Sequence, residues 1–157
     1  MLFLTFRIGA ESYALDTAQI SEILPLLRIT RLPQAPVGVA GLVNYRGRSV
    51  PVVDLSELLL GEPARTHFST RLILVRHGAH LLGLIAEQAT EMMRREAESF
   101  ADPGIAIESA PYLGSVTQDG ERMIRRIEVQ KLPRAVSSVL FPQAEETAWS
   151  TTESPPS

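Results

Sequence analysis

The feature that most constrains this chain is an internal echo. Residues 6–24 slide onto residues 75–93 at an offset of 69, so that Arg7 meets Arg76, Gly9 meets Gly78, Ala10 meets Ala79, Leu15 meets Leu84, Gln19 meets Gln88 and Glu22 meets Glu91. A second match, displaced by 73, sets Gly41 on Gly114, Val43 on Val116 and Gly47 on Gly120. Two matches in the same order at nearly the same offset imply a duplicated half-domain of roughly 70 residues. The alternative is coincidence among short apolar strands. The spacing is too long and the copies too few for a solenoid, so two strand-rich halves must pack against each other.

Within each half the pattern is that of short strands. Leu2, Leu4, Phe6 and Ile8 alternate with Phe3, Thr5 and Arg7, and Gly9-Ala10-Glu11-Ser12 breaks the run before Tyr13-Ala14-Leu15, which is a hairpin signal. Asp16-Thr17 reads as an N-cap for a short helix over Ala18–Leu24, closed by Pro25. Ile29–Leu32 and Val39–Tyr45 read as further strands, and Arg46-Gly47-Arg48 turns the chain into Ser49–Leu55. Pro51 places that last run at a sheet edge or a bulge. Arg94–Glu98 reads as a solvated, charged hinge. The stretch from 143 to 157 has no apolar period and reads as a disordered tail. The expected organisation is one domain over 1–142, built of two pseudo-repeated barrel halves that meet near 65–70. Turn signals at this density favour small barrels.

Chemistry is scarce. The chain has no cysteine, which removes disulfides, thiolate metal sites and cysteine nucleophiles. His67, His77 and His80 are the only histidines, and His77-Gly78-Ala79-His80 lacks a third metal ligand. Neither a nucleophile elbow nor a phosphate-binding glycine loop is present. Glu11 with Asp16, or Glu96 with Glu98, could be drawn as acid–base pairs, but no pocket is implied around them. A net charge of −3 gives no global attraction to nucleic acid, and Arg122, Arg125 and Arg126 are not interleaved with stacking aromatics. The start lacks a basic region and no run approaches a membrane span, so a cytoplasmic protein without a metal, a cofactor or catalysis is expected.

Six segments in order carry a more specific signal: Phe6-Arg-Ile-Gly9, Tyr13-Ala-Leu-Asp16, Ile20-Ser-Glu-Ile23, Ile29-Thr-Arg-Leu-Pro33, Val39-Ala-Gly-Leu-Val-Asn-Tyr-Arg-Gly47 and Val50-Pro-Val-Val-Asp-Leu55. Together they resemble the CheW family of chemotaxis coupling proteins. Gly83-Leu-Ile, Tyr112-Leu-Gly114 and Gly120-Glu-Arg-Met-Ile continue the likeness less tightly, so that it covers roughly residues 2–133. The resemblance implies a mostly all-β fold of two five-stranded, SH3-like barrels side by side with a few short helices. It implies an adapter whose apolar groove between the barrels takes the cytoplasmic tip of a chemoreceptor, and whose second barrel pairs with the regulatory domain of a CheA-type histidine kinase. Carried over by position, the receptor- or kinase-binding residues are Ile20, Glu22, Gly41, Asn44, Tyr45 and Arg46. Four of them have a plainer reading: Ile20 as core, Glu22 as a helix charge, Gly41 as a bulge, and Arg46 as a turn residue or a cover for Asp54.

Two departures from the family pattern stand out. Tyr45 occupies a position usually aliphatic. Arg125-Arg126 occupies a usually apolar strand, so one arginine should point inward or the strand must be edge-like and bulged. Tyr45, with Leu32-Pro-Gln-Ala-Pro36 and Ser69–Leu74, looks more like adapters of Wsp-type surface-sensing pathways, which steer cyclic-di-GMP synthesis.

Overall fold

A computed structural model describes residues 1–132. Expectations for the tail at 143–157, and for residues 133–142 of the domain, lie outside the described residues. Among the described residues nine strands form: β1 (Leu2–Ile8), β2 (Glu11–Asp16), β3 (Ile20–Pro25), β4 (Val39–Tyr45), β5 (Arg48–Asp54), β6 (Arg71–His77), β7 (His80–Arg94), β8 (Leu113–Asp119) and β9 (Arg122–Ile127), with the helix α1 (Leu55–Leu60) and single 3-10 turns. The expected helix over Ala18–Leu24 is not there. Asp16 does cap, its carboxylate accepting from the Ala18 amide at 2.9 Å, but helix survives only as the 3-10 turn Thr17–Gln19. The rest becomes β3, because its residues pair along β6 from Ile20–Val75 to Pro25–Arg71. A ladder with a neighbour outweighs the weak helical preference of so short a segment. Ile29–Leu32 likewise reduces to one bridge, Thr30 to Leu42.

The strands close into two five-stranded barrels. Barrel I holds β1, β2, β8, β9 and the carboxyl-terminal part of β7, and barrel II holds β3, β4, β5, β6 and the amino-terminal part of β7. β7 serves both because it bends: Gln88 has φ of 50°, and pairing passes from β6 (through Ala86) to β1 (from Glu87). A break near 65–70 therefore does not separate the barrels. Each barrel combines the hairpin of one sequence half with three strands of the other. β3 crosses to pair with β6, and the matching part of β7 crosses to pair with β1.

This exchange explains why the strands are apolar on consecutive residues. Successive side chains point to opposite faces. In β6, Leu72 and Leu74 fill barrel II while Ile73 and Val75 enter a second core. In β1, Phe3 fills barrel I while Leu4, Phe6 and Ile8 enter that same second core. The shared core takes residues from both barrels, including Leu15, Val53, Leu84 and Ile127, and is the largest of the three clusters. The seam between the barrels is thus a packed interior, not an open groove at its centre. Pro51 pairs with Leu42 one residue before β5 gains its second, parallel neighbour at Val52. The missing N–H falls where only one ladder runs.

The arginine pair is resolved by the parity of β9. Ile124 and Arg126 face barrel I: Ile124 is core, and Arg126 lies at the rim with its guanidinium 5.4 Å from the Phe3 ring and 6.0 Å from that of Phe100. It pairs with Asp16 at 3.3 Å. Arg125 takes the other face and donates from Nε to the Gly114 carbonyl at 3.2 Å. No bulge in β9 itself is needed. The charged hinge is also tied down, with Arg95 donating to Asp119 at 2.8 Å.

Candidate partner-binding site

β4 and β5 meet in a two-residue turn, Arg46-Gly47, with φ of 51° and 81°. Positive φ at both positions is the hairpin geometry that suits strand twist, and glycine adopts it freely. Arginine does not, at a cost of about 1 kcal/mol. Asn44 secures the turn, its side-chain oxygen accepting from the Gly47 amide at 2.9 Å. Arg46 is thereby held outward, with 74% of its side chain exposed.

Three of the residues carried over by position converge here. Glu22 arrives on β3. Its carboxylate accepts a hydrogen bond from the Tyr45 hydroxyl and lies 3.5 Å from the Arg46 guanidinium. That guanidinium sits 5.0 Å from the centre of the Tyr45 ring. The bond to Glu22 pushes the Tyr45 pKa up, desolvation adds to this, and Arg46 pulls the other way. At these exposures the ion pair itself adds little stability. Its effect is on order: one cation is braced by a carboxylate and a ring.

Besides Asn44 in the turn, the remaining two, Gly41 and Ile20, serve from underneath. Gly41 is buried at a bulge in β4, where a Cβ would lie 2.1 Å from the Thr30 carbonyl oxygen. It lets residues 28–32 lie against β4, through Thr30 N–H to Leu42 O at 2.7 Å and the reciprocal bond at 2.8 Å. Ile20 is half-buried and packs on the shared core, so its contribution is structural in part. Asp54 is not the partner of Arg46. It is buried, capping α1 through the amides of Ser56 (3.0 Å) and Glu57 (3.2 Å) and holding the Ala64 amide at 2.9 Å. Burial pushes its pKa up against the pull of those three amides.

Sequence reading missed that Tyr45 and Glu22 bond to each other. Twenty-three residues separate them, and no local pattern joins β3 to the β4–β5 turn. It also missed the exposed Arg28, Arg31 and Arg48, which lie on or beside the same strands. Among the described residues, no group of three or more metal-ligating side chains is gathered and no helix is long and apolar enough to cross a membrane.

Two fused barrels thus bring charged residues together at a surface turn, an arrangement that can dock a protein partner. The family comparison agrees: the CheW-like domain model matches residues 2–137, and the chain belongs to that family of non-enzymatic chemotaxis scaffolds. It is 28% identical over 132 residues to the chemotaxis protein CheW of Klebsiella aerogenes, covering 83% of this chain and 80% of that one. It is 28% identical over 113 residues to Protein PilI of Pseudomonas aeruginosa, covering 71% and 64%. The fold is similar to that of the scaffolding protein TtCheW from Thermoanaerobacter tengcongensis, with a TM-score of 0.75 at 23% identity over 83% of this chain and 86% of that one.

Proposed function

We propose that this chain couples the cytoplasmic tip of a chemoreceptor to the regulatory domain of a CheA-type histidine kinase, working in the cytoplasm within a membrane-bound receptor array. The observation that carries this reading is Arg46: an exposed cation kept in an unfavourable backbone conformation, oriented by Glu22 and Tyr45, at a position the fold does not need. Strain held at an exposed residue points to a use outside the fold. A guanidinium so placed can take a partner carboxylate through two parallel hydrogen bonds. Glu22, Tyr45 and Arg46 form the contact surface, Asn44 and Gly41 shape the backbone beneath it, and Ile20 borders it.

Replacing Arg46 tests the reading. Arg46→Ala should abolish kinase control in a reconstituted array, because a partner carboxylate left unpaired at an interface costs roughly 2–5 kcal/mol. Arg46→Lys should rescue only in part, since an ammonium lacks the fork. Arg46→Gly should lose coupling while leaving the melting temperature unchanged or slightly higher, through relief of the positive φ. Full kinase control in Arg46→Ala would remove the site. As to output, Tyr45 in the cluster supports a Wsp-type surface-sensing pathway as a second reading. Measuring cyclic-di-GMP after deletion of the gene tests it, and an unchanged level with lost swimming bias would favour a flagellar output.

A further inference from the structure

We propose that the β4–β5 turn and the segment 28–31 laid along β4 form a cationic rim of barrel II that docks an acidic face of a partner protein, with Arg28, Arg31 and Arg48 as further contact residues; this rests on the docking role proposed for Arg46. Between Ile23 and Val53 the only charged side chains are Arg28, Arg31, Arg46 and Arg48, and all four are exposed. The Thr30–Leu42 bridge lays Arg28 and Arg31 along β4, and Arg48 stands opposite Tyr45 across the hairpin. Among the described residues Arg28, Arg31 and Arg48 have no ion-pair partner, and Arg46 has only Glu22 at 3.5 Å.

Like charges gathered without counter-charges repel one another, and an acidic surface brought against them relieves that repulsion. Glu22 does not cancel the rim, because the Tyr45 hydroxyl ties its carboxylate and it balances one arginine at most. The backbone carrying Arg28 and Arg31 is anchored, with Leu26, Leu27 and Ile29 packed on the barrel II core. The cations thus stand on a fixed base. A protein face fits better than a nucleic acid. The net charge of the whole chain is −3, and the one aromatic residue in the sequence between Ile23 and Val53, Tyr45, is half-buried and engaged with Glu22 and Arg46.

The test is a full-length Arg28→Gln/Arg31→Gln/Arg48→Gln variant, titrated against an isolated chemoreceptor tip hairpin at low and at physiological salt. Affinity at low salt should fall roughly tenfold, the sum of three exposed charge pairs, and the deficit should shrink as salt rises. The melting temperature should not change, and the corresponding triple lysine variant should keep most of the affinity. A glutamine variant that binds as tightly as the unmodified chain overturns the rim. So does a lysine variant as weak as the glutamine one. Tighter binding to a thymidine 20-mer than to the tip, or rim-dependent self-association in sedimentation, replaces the acidic partner with another occupant and overturns it too. If Arg46→Ala loses binding while the triple glutamine variant keeps it, only the rim fails. If both keep it, the docking role fails as well.

Discussion

The two barrels carry the same parts and opposite charge. Residues 20–86, which supply barrel II, hold seven arginines and four carboxylates; residues 1–19 and 87–132, which supply barrel I, hold eleven carboxylates and seven basic side chains. The architecture beneath matches piece by piece. Each barrel has a two-residue hairpin with Gly-Ala at its tip, at Gly9-Ala10 and Gly78-Ala79. Each has a bulged strand beside a glycine, Gly41 in β4 and Gly114 in β8, and a lone bridge onto that strand, Thr30–Leu42 and Ala101–Val116. Each ends in an acidic residue whose amide is held by a preceding loop, Asp54 to Gly38 at 2.8 Å and Glu128 to Tyr112 at 2.7 Å. Backbone devices have been kept while surfaces diverged. That is the expected result where hydrogen bonding and packing fix the backbone and exposed charge is free to change.

The match is closest in form and unequal in energy, which allows it to be broken selectively. The largest difference concerns the glycines. Gly41→Ala puts a methyl 2.1 Å from Thr30 O at φ of 143°, whereas Gly114→Ala meets the Glu128 side chain at 3.0 Å and Arg126 O at 3.2 Å with no positive φ. Gly41→Ala should cost about 3 kcal/mol or more in chemical denaturation, and Gly114→Ala about 1 kcal/mol or less. Equal losses would mean that the bulges are equivalent. Next come the caps. Asp54→Ala removes three amide partners from a buried site and should cost about 1–2 kcal/mol. Glu128→Ala should be close to neutral, because Glu128 makes no side-chain cap bond.

A smaller effect is expected at the brace. Tyr45→Phe deletes only the hydroxyl that holds Glu22, so stability should change by about 1 kcal/mol or less while receptor binding weakens several-fold. An unchanged affinity would show that Arg46 acts without its brace. The smallest effects are in pH dependence, and the barrels should differ in sign. In barrel I, hydrogen bonds from Arg122 and Arg95 hold Asp119 below its ordinary 3.8. Its contribution is present above that value and lost as pH falls through the lowered folded value. In barrel II, burial holds Asp54 above 3.8, so the folded state keeps its proton to higher pH, and this contribution weakens as pH rises through the raised value. Melting curves of Asp119→Asn and Asp54→Asn across the acid range should depart from the unmodified chain in opposite directions. The same direction for both would break the contrast.

Much of this was readable from the sequence because it depends on neighbours in the chain. Both Gly-Ala hairpins, the β4–β5 turn, the Asp16 cap and the duplication follow from local residues and their periods. So does the reading of Arg46 as an exposed turn residue, since a two-residue turn projects its side chains from the sheet whatever lies beyond. Ile20–Leu24 was misread as helix for the same reason. Its local pattern admits both states, and only β6, fifty residues on, supplies the ladder that decides.

The pairing of strands between halves was decided in space. A period of two tells which residues share a face, but not which strand lies next to which, and both faces of β1 and β6 are apolar. Sequence therefore determined two alike halves, and tertiary structure determined that they exchange strands and bury their largest core along the seam. The candidate site follows the same division. Asn44-Tyr45-Arg46-Gly47 set the turn by themselves, whereas the bond from Tyr45 to Glu22 exists only because β3 pairs on β6 and brings a residue from another strand within reach, a contact of long sequence separation that no local preference encodes.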